Sequence, residues 1–527
     1  MVYNTCKIIE DTKIVYLQKN IKKMSKPVRV RFAPSPTGPL HIGGVRTALF
    51  NYLYAKKNNG TFYLRIEDTD QNRFVEGAEE YIMEALEWLG IAPVETVGKN
   101  EKFGPYRQSE RKELYKQYAD RLIASGNAYY AFDTPDSLDT LRKQFETEGK
   151  TFIYNHSNRE TLNNSLALSK EETEAKIANG EEYVIRFKTP VNETLHLSDI
   201  IRGEVKFETS LLDDKVLFKS DGMPTYHLAN IVDDHLMETS HVIRGEEWLP
   251  SMPLHVMLYR SFGWDAPEFA HLPLILKPIG NGKLSKRDGD KMGFPVFPLE
   301  WKTEEGISSG YREKGFFPEA VVNFLALLGW NDGTEKELFS LEELAATFDL
   351  KRVHKSGAKF DPEKNKWFNH QYLIQKSDEE LAKQFLPIVA EQTGKIEAIE
   401  INKLTKIVSL IKERAHFVNE FWELSNFFFE EPTAYDEKAA KNWKEETPQL
   451  MKNLIEVLNE IDDFTSNTIE TIVKEWMTRN EIGMGKIMQP FRLSLVGALK
   501  GPHLFDIVEI IGKEETIKRI QKAVTTL

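Results

Sequence analysis

Two short segments bring together residue types suited to handling phosphate. The first, Arg31-Phe-Ala-Pro-Ser35-Pro-Thr-Gly38-Pro-Leu-His41-Ile-Gly43-Gly44, is a proline- and glycine-bearing turn that leads from a strand into a helix. The free N–H groups and partial positive charge of a helix N-terminus favour anions. Gly43 and Gly44 let the backbone approach a nucleotide closely, and His41 can donate a hydrogen bond to a phosphate oxygen. The second segment, Lys283-Leu-Ser285-Lys286-Arg287, lies about 240 residues further on and is flanked by Gly280, Gly282 and Gly289. Cations on such a loop can follow the charge that develops on a leaving pyrophosphate. Each segment taken alone has a bland alternative: a turn whose glycines serve chain geometry, and a solvated basic loop.

The elements around these segments read as α/β. Val28, Val30 and Phe32 alternate with Arg29 and Arg31, a period-two strand in which Arg29 is expected to face solvent. Val45, Ala48, Leu49, Tyr52 and Ala55 fall at helical spacing over 43–58, Gly60 ends the helix, and 62–66 reads as a second strand. Such a βαβ unit predicts parallel pairing with a right-handed crossover. Residues 107–215 break the rhythm with a helix over 111–125, a strand over 128–132, a polar stretch over 155–174 and short strands near 183–187 and 201–207. They read as an α+β insertion. The α/β text resumes with 216–218 and a helix over 250–262. From Pro318 onward helical periods dominate, with Val321, Leu325 and Leu328 and later Ile407, Leu410, Ile411 and Ala415.

The 527 residues carry 41% apolar and 28% charged side chains, which excludes a wholly disordered, collagen-like or disulfide-stapled chain. A net charge of −12 and a pI of about 5.7 argue against a non-specific nucleic-acid coat. They leave room for RNA held by local basic patches. Cys6 is the single cysteine, so no internal disulfide and no cysteine-based zinc site is expected, as suits a reducing cytosol. The longest apolar run, about 11 residues over 320–330, contains Asn323 and falls short of the ~20 needed to cross a bilayer. Residues 1–26 lack the apolar core of a secretory signal and contain no arginine, unlike a mitochondrial presequence. They read as an extension ahead of a soluble, cytoplasmic protein.

Together the two phosphate-handling segments are far more specific than either alone. The PxPTGxxHIGG turn paired with the distant KLSKR loop resembles the signatures of class I aminoacyl-tRNA synthetases. The text between narrows the family: Arg65-Ile-Glu67-Asp-Thr-Asp70, Gly104-Pro-Tyr-Arg107-Gln-Ser109, Pro224-Thr-Tyr226-His-Leu-Ala-Asn230, Val232-Asp-Asp-His235, Val242-Ile-Arg244-Gly-Glu-Glu247-Trp248 and Met488-Gln-Pro-Phe-Arg492 all resemble glutamyl-tRNA synthetase of the bacterial type. The resemblance runs from about Lys26 to Leu527. It implies an amino-acid pocket at Arg31, Ala33, Ser35, Glu67, Tyr226, Asn230 and Arg244. Arginine forks bind carboxylates bidentately, so Arg31 and Arg244 are candidates for the two carboxylates of glutamate, in an order left open. Glu67 is the natural partner of the ammonium, whereas Asp68 and Asp70 read as a solvated acidic turn or a cation site. ATP with Mg2+ is implied at Pro34, Gly38, His41, Gly43, Gly44, Glu247, Lys283, Ser285, Lys286 and Arg287. His41, Lys283 and Lys286 are the candidates to stabilise the pentacoordinate phosphorus, and no side-chain nucleophile is required.

The resemblance also implies a division of labour along the chain. A Rossmann-type catalytic domain over 27–106 and 216–300 is split by an acceptor-stem insertion over 107–215. A helical stem-contact region over 301–374 and an α-helical anticodon-binding region over 375–527 follow. Some relatives carry a cysteine-rich zinc knuckle near 128–133; here Tyr130, Ala131 and Phe132 stand in that stretch without cysteine, so no zinc is expected. For tRNA-Glu, Arg479, Lys486, Arg492 and Lys500 are candidate contacts, while Trp476 and Phe491 are expected to be core. The expected protein is a monomer that attaches L-glutamate to tRNA. Glutaminyl-tRNA synthetase, with its β-barrel anticodon region, fits the helical text after 375 less well. Whether tRNA-Gln is also charged stays open.

Overall fold

A computed structural model describes residues 27–304, 306–394 and 400–527, with the side chain of Lys286 excluded. The expected extension over 1–26 lies outside the described residues. The chain divides into two compact units, one formed by the described residues up to Lys314 together with Val321–Pro362, the other by Gly315–Ala320 and Glu363–Leu527.

In the first unit, β1 (Arg29–Phe32) and β2 (Thr61–Leu64) pair in parallel from Arg29↔Thr61 to Phe32↔Leu64. The crossover helix α1 (Ile42–Lys57) buries Ile42, Val45, Ala48, Leu49 and Leu53, the stripe its spacing predicts. Gly60 is required between them: a Cβ there would sit 2.3 Å from the Val28 carbonyl oxygen. Arg29, expected in solvent, is instead 8% exposed. Its guanidinium forks onto Glu95 at 3.0 and 2.9 Å and donates to the Met237 carbonyl, so the strand is buried on both faces, as in a parallel sheet.

Next come α2 (Ala78–Trp88), α3 (Lys112–Ala124) and β3 (Ala128–Ala131). Helices α4 (Pro135–Thr147) and α5 (Lys170–Ala178) precede β4 (Val184–Phe187), which pairs antiparallel with β3. A hairpin of β5 (Thr194–Asp199) and β6 (Gly203–Glu208) follows, then β7 (Val216–Phe218). Although 216–218 reads as resumed α/β text, β7 pairs antiparallel with β4 and completes a three-stranded sheet ordered β3-β4-β7. Helix α6 (Tyr226–Leu236) leads to β8 (His241–Gly245), which α7 (Met252–Ser261) connects to the parallel strand β9 (Glu268–Leu272). The hairpin adds to this pair in the order β6-β5-β9-β8, with β5 parallel to β9 at Asp199↔Phe269. Ser240 N–H donates to the Arg29 carbonyl at 2.9 Å and ties β8 to β1. The short helix α8 (Lys286–Met292) then carries the second basic segment.

Among its described residues the second unit holds helices and no strand, from the Pro362–Gln375 helix to Lys513–Thr526. Phe385, Ile407, Ile411, Phe421, Val473 and Phe491 are buried in it, and Trp476 is half-buried. Among the described residues no helix is long and apolar enough to cross a membrane.

Candidate active site

A cavity of about 840 Å³ opens where the turn after β1, the start of α1, the start of α6 and the end of β8 meet. Arg31, Ala33, Ser35, Glu67, Tyr226, Asn230 and Arg244 all line it, together with Pro34, His41, Gly43, Gly44, Glu247 and Lys283. Residues separated by more than 200 positions therefore line one cavity.

His41 is the N-cap of α1, and its Nδ1 accepts a hydrogen bond from Gly43 N–H at 3.1 Å. That acceptor role puts the proton of the neutral ring on Nε2. Nε2 is buried and has no partner among the described residues. Burial, and then the charge of Lys283, push the imidazole down to about 4. At neutral pH the group is thus a neutral donor with its N–H uncommitted.

The amino-acid side of the cavity rests on a buried charge network that sequence reasoning saw only in part. Arg65, fully buried, donates to Asp234 at 2.8 Å and to Glu67 Oε1 at 3.0 Å. Arg31 donates through Nε to the same Asp234 at 3.0 Å. Asn230 adds a bond to Glu67 Oε1 at 3.1 Å, so that oxygen is engaged twice while Oε2 has no hydrogen-bond partner among the described residues. Burial raises the Glu67 carboxyl above its usual range against the pull of Arg65 and Arg31. An ammonium group at Oε2 would relieve that penalty. Asp68 is committed elsewhere: Ser109 donates to it from both backbone N–H and hydroxyl, at 2.8 and 2.5 Å. Asp70 pairs with Arg73 at 2.6 Å.

Arg244 is held differently. Its Nε donates to His271 Nε2 at 3.1 Å, Nη1 to the Tyr226 hydroxyl at 3.0 Å and to His255 Nδ1 at 3.2 Å, and Nη2 to the Trp248 carbonyl at 3.3 Å. Each of these partners is neutral.

On the nucleotide side Lys283 Nζ contacts Glu247 at 2.7 Å. Burial works against the Glu247 carboxylate, but the hydrogen bond and charge of Lys283, a backbone N–H and the charge of Arg46 together outweigh it and hold the carboxyl below its usual range. Ser285 does not line the cavity; its hydroxyl donates to Asp288 at 2.6 Å in a capping box that starts α8. Arg287 and Gly38 also lie outside the lining, Gly38 in an adjoining hollow beside Pro34, Ser35 and His41. The Lys286 side chain lies outside the described residues. Gly44 has a packing role besides any nucleotide contact, because a Cβ there would meet Leu40 at 2.6 Å.

Sequence reasoning passed over Arg46, His255 and His271, and quoted Asp234 in the Val232–His235 motif without a role. Arg46 lines the cavity from the buried face of α1 and donates to the Leu328 carbonyl at 2.9 Å and to that of Pro273. Burial lowers it to about 10, against Glu247 and Glu246. The available signal was a charge set inside an apolar helical stripe, in Val45-Arg46 and again in Ile231-Val232-Asp233-Asp234.

The description "tRNA synthetases class I (E and Q), catalytic domain" matches residues 27–367, and "Anticodon binding domain" matches 380–524. The chain belongs to the class I tRNA synthetases of the E and Q type. Among its curated relatives, the glutamate–tRNA ligase of Flavobacterium johnsoniae is 81% identical over 504 residues, covering 96% of this chain and 100% of the relative. That of Christiangramia forsetii is 64% identical over 509 residues, covering 96% and 100%. The crystal structure of a glutamate tRNA ligase from Elizabethkingia meningosepticum in complex with its amino acid is similar at a TM-score of 0.93 and 53% identity, covering 95% of this chain and 100% of that one.

Proposed function

We propose that this protein is a glutamate–tRNA ligase, which activates L-glutamate with ATP and transfers it to the 3′-terminal adenosine of tRNA-Glu. The observation that carries the reading is the single cavity joining a dicarboxylate-suited wall (Arg31, Glu67, Tyr226, Asn230, Arg244) to a phosphate-suited one (His41, Glu247, Lys283). Glu67 takes the ammonium at Oε2, and Arg31 and Arg244 take the carboxylates. The α-carboxylate oxygen then bonds to the α-phosphorus as the bond to the leaving pyrophosphate breaks. Catalysis on this reading is positioning plus charge stabilisation. The His41 Nε2–H stabilises the crowded phosphorus, and Lys283 and Lys286 follow charge onto the pyrophosphate. Mg2+ is read as arriving with the triphosphate, whose charge it neutralises. Transfer forms an ester to the terminal ribose and releases AMP.

The insertion over 107–215 is read as the acceptor-end clasp and the region over 375–527 as the anticodon reader, with the enzyme a cytoplasmic monomer. Charging of separated tRNA-Glu and tRNA-Gln with glutamate and with glutamine tests the whole reading. Glutamate is expected on tRNA-Glu. Charging with glutamine alone, or ATP consumption without any charged RNA, would refute it.

A further inference from the structure

Arg31 and Arg65 each touch a carboxylate directly, through Asp234 and Glu67. Arg244 does not. It is 5% exposed, yet its guanidinium is ringed by two imidazoles, a phenol and a backbone carbonyl. A buried cation held only by neutral partners is costly, and a substrate carboxylate supplies the counter-charge.

The geometry also dictates the protonation of the partners. An arginine only donates, so His271 must accept at Nε2 and carry its proton on Nδ1. That Nδ1–H reaches Asp199 Oδ2 at 2.6 Å. Asp199 is itself fixed: its Oδ1 accepts the backbone N–H groups of Ile201 at 2.9 Å and Arg202 at 2.8 Å, and its Oδ2 also accepts the His271 N–H at 3.1 Å. Both side chains are fully buried.

We infer that Asp199 and His271 form a positioning pair that locks the Arg244 guanidinium for a carboxylate of the amino-acid substrate. The pair holds His271 in the one tautomer that accepts from Arg244, and it keeps negative charge one imidazole away, so that the arginine's own charge stays available. His255 assists from the other side. It accepts from Arg244 at Nδ1, which leaves its Nε2–H for His227 at 3.2 Å. Burial lowers His271 despite Asp199, and burial with Arg244 and His227 holds His255 well below its usual range; both stay neutral acceptors. Asp199 lies on β5, at the register position where the hairpin joins the β8–β9 pair, so this strand pairing delivers the carboxylate to the site.

The inference rests on the glutamate-activating reading, and the test separates the two. Asp199→Asn keeps the shape but replaces one acceptor by a donor. Either the His271 tautomer inverts, setting N–H against N–H at Arg244, or the turn at Ile201–Arg202 loses its acceptor. In the full chain the expected result is a glutamate KM raised about 10- to 100-fold, with the KM for ATP and for tRNA changed less than about twofold. His271→Leu should do the same, while His271→Gln, whose amide oxygen can accept from Arg244, should recover much of the loss. A glutamate KM unchanged in folded Asp199→Asn, or all three KM values rising together, overturns the pair. Selective 15N labelling of the histidines gives a readout that needs no variant. His271 is expected to carry its proton on Nδ1 in the unaltered protein, and protonation on Nε2 would also overturn the proposal. Failure of the unaltered protein to charge tRNA with glutamate counts against the function, and the tautomer result is independent of it.

Discussion

At the scale of single residues, His41 shows how backbone geometry selects a chemical role. Because its Nδ1 caps α1 and its Nε2 has no partner among the described residues, the ring is committed as a neutral donor before any substrate arrives. Its value of about 4 lies below the ~6.5 of an exposed histidine. The sign follows: the neutral form and its contribution to stability are intact above pH ~6.5, and are lost as the pH falls through the folded value. No loss of donor function from His41 is therefore expected between pH 8 and pH 6. The 15N shifts of its ring should show no titration near 6.5, and a midpoint there would contradict the assignment. His41→Ala should lower kcat for adenylate formation by about 10²- to 10³-fold, the usual effect of removing one preorganised donor, with little change in glutamate KM. A loss confined to glutamate KM would move His41 out of the phosphate role.

Elements meet at this site through Asp234, which joins α6 to β1 by way of Arg31 and to the segment after β2 by way of Arg65. Burial works against its carboxylate, but the two arginines outweigh it and hold it below the usual range. Removing one partner from a buried ion cluster leaves uncompensated charge. Asp234→Ala is accordingly expected to cost about 3–5 kcal/mol, measured as a lowered urea midpoint at constant slope; a shift within error would mean that water or a rearranged Glu67 compensates. The same cluster marks the limit of what a sequence reveals. The β1–α1–β2 unit was legible because apolar periods of two and of 3.6 state their own geometry. The hairpin strand β5 was not recognised, although Leu195 and Leu197 alternate with exposed residues. Arg29 was misread because a charged residue in a strand is ordinarily a surface residue, and only its distant partner Glu95 makes burial tolerable. Motif residues such as Arg31, Glu67 and Arg244 could be named from the text, but the partners that hold them could not. Asp199, His271 and His255 come from three separate elements and share no local pattern.

For the whole molecule, the question is how a chain of net charge −12 holds a polyanion. Association must rest on local cations whose charge the protein does not already neutralise. In the helical unit, Arg479 pairs with Glu475 at 2.9 Å and Lys486 with Glu446 at 3.3 Å. Arg492 is half-buried and donates to the Pro502 carbonyl at 2.7 Å. Lys500 is exposed and has no acidic partner within ion-pair distance among the described residues. Of the four cations singled out for RNA contact, Lys500 is thus the one whose charge is most available to a phosphate. Replacing it should weaken tRNA binding more than replacing Arg479, whose charge Glu475 already offsets. Lys500→Ala is expected to raise the KM for tRNA about 3- to 10-fold and to reduce the slope of log affinity against log salt by roughly one. The KM for glutamate and for ATP should stay within about twofold. Binding titrations at 50 and 200 mM salt separate this from a folding defect, because a structural loss would lower affinity equally at both. An unchanged slope with Lys500→Ala would place the RNA path elsewhere on the helical unit.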